Sequence, residues 1–176
     1  TVSDNSDFGD SRSLAVDLDE LTARIRKEPG NAALRTYLFQ LLCVQGQWQR
    51  ALNQLQVAAQ LDAAAIPMAQ TYREAIRCEM MRAEVFAGKR SPQTIGVPPS
   101  WFGLLVEALR LVALGELGKA ADLRAEAFEA AEETSVSIDG MSSAWIADAD
   151  SRLGPVCEVI INGQYYWLPF SLLGEL

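Results

Sequence analysis

NAALRTYLFQLLCVQGQWQRALNQLQVAAQLD, residues 31–62, decides the fold. Leu34, Leu38, Leu41 and Leu42 recur at the three- and four-residue spacing that puts side chains on one helical face, and Gln40 and Gln45 fall off it. Gly46 permits the left-handed backbone that ends a helix. Trp48, Ala51, Leu55, Ala58 and Leu61 then restart the same period. The stretch reads as two amphipathic helices joined by a tight turn.

With Ala32 as the first position, Leu38, Leu42, Gly46, Trp48, Ala51, Leu55 and Ala58 occupy the sites of a tetratricopeptide unit. In that unit small residues let two antiparallel helices approach and large ones interlock. Arg35 and Phe39 stand where a first-helix Trp and a small residue are usual, so the unit is degenerate. A second hairpin follows on the same frame from Trp101, with Ala108, Leu111, Gly115, Leu117, Ala120 and Ala127 in place. Such units carry no chemistry of their own; they present surfaces.

Outward from these hairpins, residues 1–12 are polar and acidic and are expected to be disordered, with a trimmed start in place of an initiator Met. The first twenty residues hold six acids and Arg12, so most of the formal charge of −8 sits there. Ser13 is expected to cap a helix running to Lys27, striped by Leu14, Leu18, Leu21 and Ile25. Asn31 is a plausible cap for the next. Pro67 suits the first turn of a long helix to about Ala87, striped by Ala69, Tyr72, Ile76, Met80 and Ala83. On its other face Glu74 with Arg77, and Glu79 with Arg82, have ion-pair spacing worth about 0.2–0.5 kcal/mol each. KRSPQTIGVPPS, residues 89–100, must be irregular, with Ser100 as the cap of the helix from Trp101. From Glu132 the composition changes. Asp139-Gly140 is a turn signal, and VCEVII-NG-QYYWLPF is a β-hairpin about a type I′ turn at Asn162-Gly163.

The expected fold is therefore mainly α: tetratricopeptide-like hairpins stacked with extra helices over residues 13–131, then a small β-containing appendage over 132–176. Both faces of QYYWLPF are apolar or aromatic, so the hairpin should lie against the helices, with Trp145 as a packing partner. Removing its turn should then unfold the appendage and leave the helices standing. The apolar end, FSLLGEL, reads as incomplete, with further strands expected on an exposed edge through which the chain would self-associate.

Composition narrows the function classes. The acidic balance argues against nucleic acid, which needs basic surface. No apolar run reaches the length of a membrane span, and the polar, acidic N-terminal residues lack the basic start and apolar segment of a leader. Cys43, Cys78 and Cys157, odd in number and set in apolar segments, are expected as reduced thiols of a cytosolic protein. There is no histidine in the 176 residues, so neither an imidazole relay nor a His-ligated metal can form within them. Asp148 and Asp150 have the first-and-third spacing of a calcium loop, but Leu153 and Val159 occupy the positions that need Gly and Glu. Turn-capping aspartates paired with Arg152 are the simpler reading. The competing function is a carboxylate- or metal-dependent hydrolase using Asp148 and Asp150, with Glu158 a further candidate.

LFQLLCVQGQWQRALNQL, MAQTYREAIRCEMMRAEVFAGKRSP and WIADADSRLGPVCEVIINGQYYWLPF, in this order over about residues 14–172, resemble the ImpE family, also called TagJ or SciE. These are accessory proteins of bacterial type VI secretion systems. The resemblance implies a cytoplasmic, non-catalytic adaptor without a cofactor. It would bind the N-terminal helix of the small sheath subunit TssB and so link the contractile sheath to the ClpV ATPase. It implies no catalytic residues. The inner-groove positions of the two hairpins are Ala33, Thr36, Gln40 and Cys43 in the first and Phe102, Leu105, Leu109 and Val112 in the second. Gln40, Cys43, Phe102, Leu105, Leu109 and Val112 are thus the candidate partner-binding residues, suited to the apolar face of an amphipathic helix. The competing possibility is that the 67–87 helix already covers them.

Overall fold

A computed structural model describes residues 11–173, with side chains from Asp17 onward. The acidic start, residues 1–10, and the last three residues lie outside the described residues. Six α-helices come first: α1 (Ser11–Lys27), α2 (Ala32–Val44), α3 (Trp48–Leu61), α4 (Ile66–Phe86), α5 (Ser100–Ala113) and α6 (Leu117–Ala130). Four strands follow: β1 (Val136–Ile138), β2 (Met141–Ser143), β3 (Val156–Ile161) and β4 (Gln164–Pro169). The strands pair antiparallel as two separate hairpins, β1 with β2 and β3 with β4. The mainly helical fold read from the sequence is the fold observed.

The chain divides into two compact units, Thr1–Ile76 and Arg77–Leu176, with the division inside α4. In the first, Asn31 caps α2 by accepting from the amides of Ala33 and Leu34 at 3.1 and 3.3 Å, which satisfies donors that a helix start leaves open. Ala51 and Ala58 are fully buried on α3, and such small side chains let α2 and α3 approach. Leu34, Leu38, Phe39, Leu41, Leu42 and Leu55 fill the core with Leu21 and Ile25 of α1. Phe39, too large for its place in the repeat, is 1% exposed. Its ring lies 5.4 Å from that of Tyr72 on α4.

In the second unit α5 and α6 form a like hairpin, with Ala108, Ala120 and Ala127 buried. Trp167 of β4 is fully buried, with Phe86 and Phe102 at centroid distances of 5.8 and 6.4 Å. Cys78, Val85, Leu105, Leu109, Leu153, Val156 and Tyr165 complete this core. Leu153, Val156, Tyr165 and Trp167, beyond the boundary read from the sequence at 131/132, thus share a core with side chains of α4 and α5. Composition changes at Glu132, but burial does not follow it.

Three local expectations are corrected. α5 takes no cap from Ser100: Pro99 is the cap residue, extended at ψ 158°, and no side-chain bond caps it. Trp145 is 61% exposed and is not the partner of the β3–β4 hairpin; the larger apolar supply of Phe86 and Phe102 fills that place. The single stripe expected on α4 also fails, since Tyr72 and Met80 are 46% and 38% exposed. The buried residues are Ala69 and Ile76 in its first half and Cys78 and Val85 in its second. Each pair has seven-residue spacing, but between pairs the helical phase jumps by two residues, because the two halves serve different cores.

Candidate functional site

The groove positions read from the repeat frame have different fates. Phe102, Leu105 and Leu109 are 6%, 1% and 4% exposed and belong to the core of the second unit, where Cys78 and Val85 of α4 pack. These three offer a partner no surface as the unit is built. Val112 and Cys43 are half-buried, and Gln40 is exposed. Burial pushes the Cys43 thiol above its ordinary range, which makes it a poor nucleophile. Sequence reasoning passed over two neighbours. Tyr37 is 50% and Val44 71% exposed, and with the exposed Ala33 and Gln40 they form a stripe along one side of α2 at helical spacing. The repeat frame hid them because it assigns partner contacts by position number, while exposure depends on what surrounds the helix.

The aspartates of the apparent metal loop are engaged in turns. Asp148 accepts from the Asp150 amide at 2.7 Å. Asp150 accepts from the Arg152 amide at 2.9 Å and is forked by its guanidinium. The amides of Leu153 and Gly154 return to the Asp150 carbonyl at 2.9 and 3.0 Å, and the Asp148 amide donates to Gly154 at 2.7 Å. Arg152 also holds the Asp150 carboxyl down, at about 2. Among the described residues no group of three or more Cys, Asp or Glu is placed to hold a metal ion.

Glu158, the third carboxylate, sits in a chain of polar contacts. Arg82 of α4 donates to both its oxygens, at 2.8 and 3.0 Å, so Arg82 is drawn from the Glu79 pair expected on its own helix. The Tyr165 hydroxyl also donates to Glu158 and accepts from the Trp167 indole at 2.6 Å. Burial foremost, then the bond to Glu158, pushes the Tyr165 hydroxyl well above the ordinary phenol range. The arrangement satisfies the polar atoms of the two aromatic residues that anchor β4 in the core.

The outer edge of β4 is partly taken. Gln93 bridges to Tyr166, and its carbonyl accepts from the Trp167 amide at 2.8 Å, so the hairpin edge expected to be exposed near the C-terminus is shielded at the middle of β4. Among the described residues no helix is long and apolar enough to cross a membrane.

The family model for the ImpE protein matches residues 140–176, which carry both strands of this hairpin and the aspartate loop. Over 159 residues, 90% of the chain, the sequence is 52% identical to the type VI secretion system accessory component TagJ of Pseudomonas aeruginosa. The chain is similar to the ImpE family. It spans 57% of the length of that relative. The crystal structure of protein VPA1032 from Vibrio parahaemolyticus has the same fold, with a TM-score of 0.82 at 24% identity, over 90% of this chain and 60% of that one.

Proposed function

We propose that this chain, similar to the ImpE family, is part of a non-catalytic accessory of a bacterial type VI secretion system, an adaptor that binds a partner helix. The observation that carries the reading is the 52% identity, over nine-tenths of the chain, to a protein named as an accessory component of that system. The partner proposed is the amphipathic N-terminal helix of the sheath subunit TssB, bound in the cytoplasm, with the ClpV ATPase engaged through the sheath. Gln40 and Cys43 of the groove keep surface in the first unit. The exposed side of α2, with Tyr37 and Val44, is the place proposed for that helix, since an apolar stripe is what an amphipathic helix seeks.

The hydrolase reading is the weaker one, because its carboxylates are already engaged: Asp150 by Arg152, and Glu158 by Arg82 and Tyr165. The test is capture of the chain by the TssB N-terminal helix as a synthetic peptide. Binding that is lost in a Tyr37→Ala, Val44→Asp variant of unchanged helicity is expected. Failure of the peptide to bind sinks the partner, and binding unaffected by the variant sinks the surface. A thermal shift on adding a divalent metal would favour the rival class, because a metal held by the folded form raises its stability.

A further inference from the structure

A cleft of about 480 Å³ in the second unit takes no part in the reading above. One side is Phe128 of α6, 39% exposed, and the segment beyond it; the other is the loop from Trp145 to Pro155. The loop is held by its own hydrogen bonds, Asp148 to Gly154 and Asp150 to Arg152. Gly154 is buried at φ +54°, and a Cβ there would lie 2.4 Å from the Phe128 ring. The close approach therefore requires glycine, and it locks the loop onto α6. Against this fixed floor Trp145 stands 61% exposed, a large apolar ring whose covering by a partner is favourable. The charged residues that line the cleft are Glu132, Glu133 and Asp148, all acidic. Arg152, the cation nearest in sequence, is turned to Asp150 and lies over the Phe86 ring.

We infer that this cleft docks a cationic amphipathic segment of a partner protein: a bulky apolar side chain laid on Trp145 and Phe128, flanked by Lys or Arg that meet Glu132, Glu133 and Asp148. A preformed apolar pocket with an exposed aromatic is the form that binding hot spots take. A rim of one sign selects a partner of the other and speeds its encounter. The same rim repels an anionic membrane, so a lipid surface is a poor occupant. The site is distinct from the α2 stripe and stands whether or not the sheath reading holds.

The test uses the whole chain and reads Trp145 emission. Of the other tryptophans, Trp101 and Trp167 are buried and Trp48 is half-buried. The probe is a short end-blocked amphipathic peptide of Leu and Lys, compared with the same peptide carrying Glu for Lys. The Lys peptide is expected to blue-shift the emission and to protect it from acrylamide, with affinity falling as salt rises. The Glu peptide should not bind. Glu132→Lys with Glu133→Lys should weaken binding about tenfold. Trp145→Phe, followed by peptide-side fluorescence, should retain it, and Trp145→Ala should lose it. These are surface positions, so melting temperature checks that each variant folds as the parent does. Equal binding of both peptides, no binding of the Lys peptide, or binding that survives Trp145→Ala overturns the proposal. So does an emission shift produced by spermine alone, by anionic vesicles, or by concentrating the chain into a dimer that hides Trp145.

Discussion

The two β-hairpins of the second unit have the same turn and opposite environments. Asp139-Gly140 in β1–β2 has φ +52° and +77°, and Asn162-Gly163 in β3–β4 has +51° and +71°. Both are the left-handed pairs that a two-residue type I′ connection requires. Yet β1–β2 is three residues a side, with Ile138 56% and Met141 74% exposed. β3–β4 is six a side and carries Val156, Tyr165, Trp167, Leu168 and Pro169 buried. Turn chemistry makes a hairpin; whether the hairpin belongs to a core depends on the side chains that flank the turn and on the apolar helices waiting for them.

The sharpest way to break the comparison is at the two tryptophans. Trp167→Ala should cost about 3–5 kcal/mol, the range for emptying a large aromatic site. Trp145→Ala should stay within about 0.5 kcal/mol, as exposed positions do. Denaturant melts followed by circular dichroism would show it. Because Trp167 packs on Phe86 and Phe102, helix signal should be lost together with the hairpin. Helices that survive unchanged would restore the division at 131/132.

The turns come next. Gly163→Val forces a branched residue to φ +71°, a strain of up to about 3 kcal/mol that should appear as lowered global stability. Gly140→Val brings equal local strain, but opening β1–β2 empties no core. Hydrogen exchange should find that hairpin frayed while the melting temperature hardly moves.

Tyr165→Phe tests the polar side of the buried hairpin. It leaves the Trp167 indole without its acceptor, a loss of about 1–2 kcal/mol. The sign of its pH dependence follows from the raised hydroxyl. The folded chain keeps this proton where the unfolded chain, near the ordinary value of 10.0, releases it. Stability from Tyr165 is therefore full below that value and declines as pH rises above it. The variant should flatten the alkaline decline seen in melting temperature against pH.

The smallest effect is expected at the loop before β3. Asp150 ionises at about 2 in the fold against 3.8 ordinarily, so its contribution is present above 3.8 and lost as pH falls through about 2. The pair with Arg152 is partly exposed and screened, so Asp150→Asn should cost about 1 kcal/mol or less. The difference from the parent should vanish in strong acid.

Short-range physics was legible in the sequence. The hairpins at residues 31–62 and 101–130, the Asn31 cap, the Pro67 start and the Asn162-Gly163 turn all depend on residues a few positions apart, where periodicity and backbone preference decide. The motifs that resemble the ImpE family were legible for the same reason, being strings of local sequence. Tertiary structure alone decided which side chains face a partner and which face a neighbour. Phe102, Leu105 and Leu109 have the spacing of a groove, but α4 and β4 contribute Val85 and Trp167 to the core that buries them. Arg82 has the spacing to meet Glu79, but Glu158 lies 76 residues away in sequence and offers two oxygens. The cleft beside Trp145 exists because Phe128 meets Gly154, 26 positions further along the chain. A helix or turn is set by bonds between near neighbours, whereas burial is a property of whatever surface the folded chain brings from elsewhere, and no local pattern encodes it.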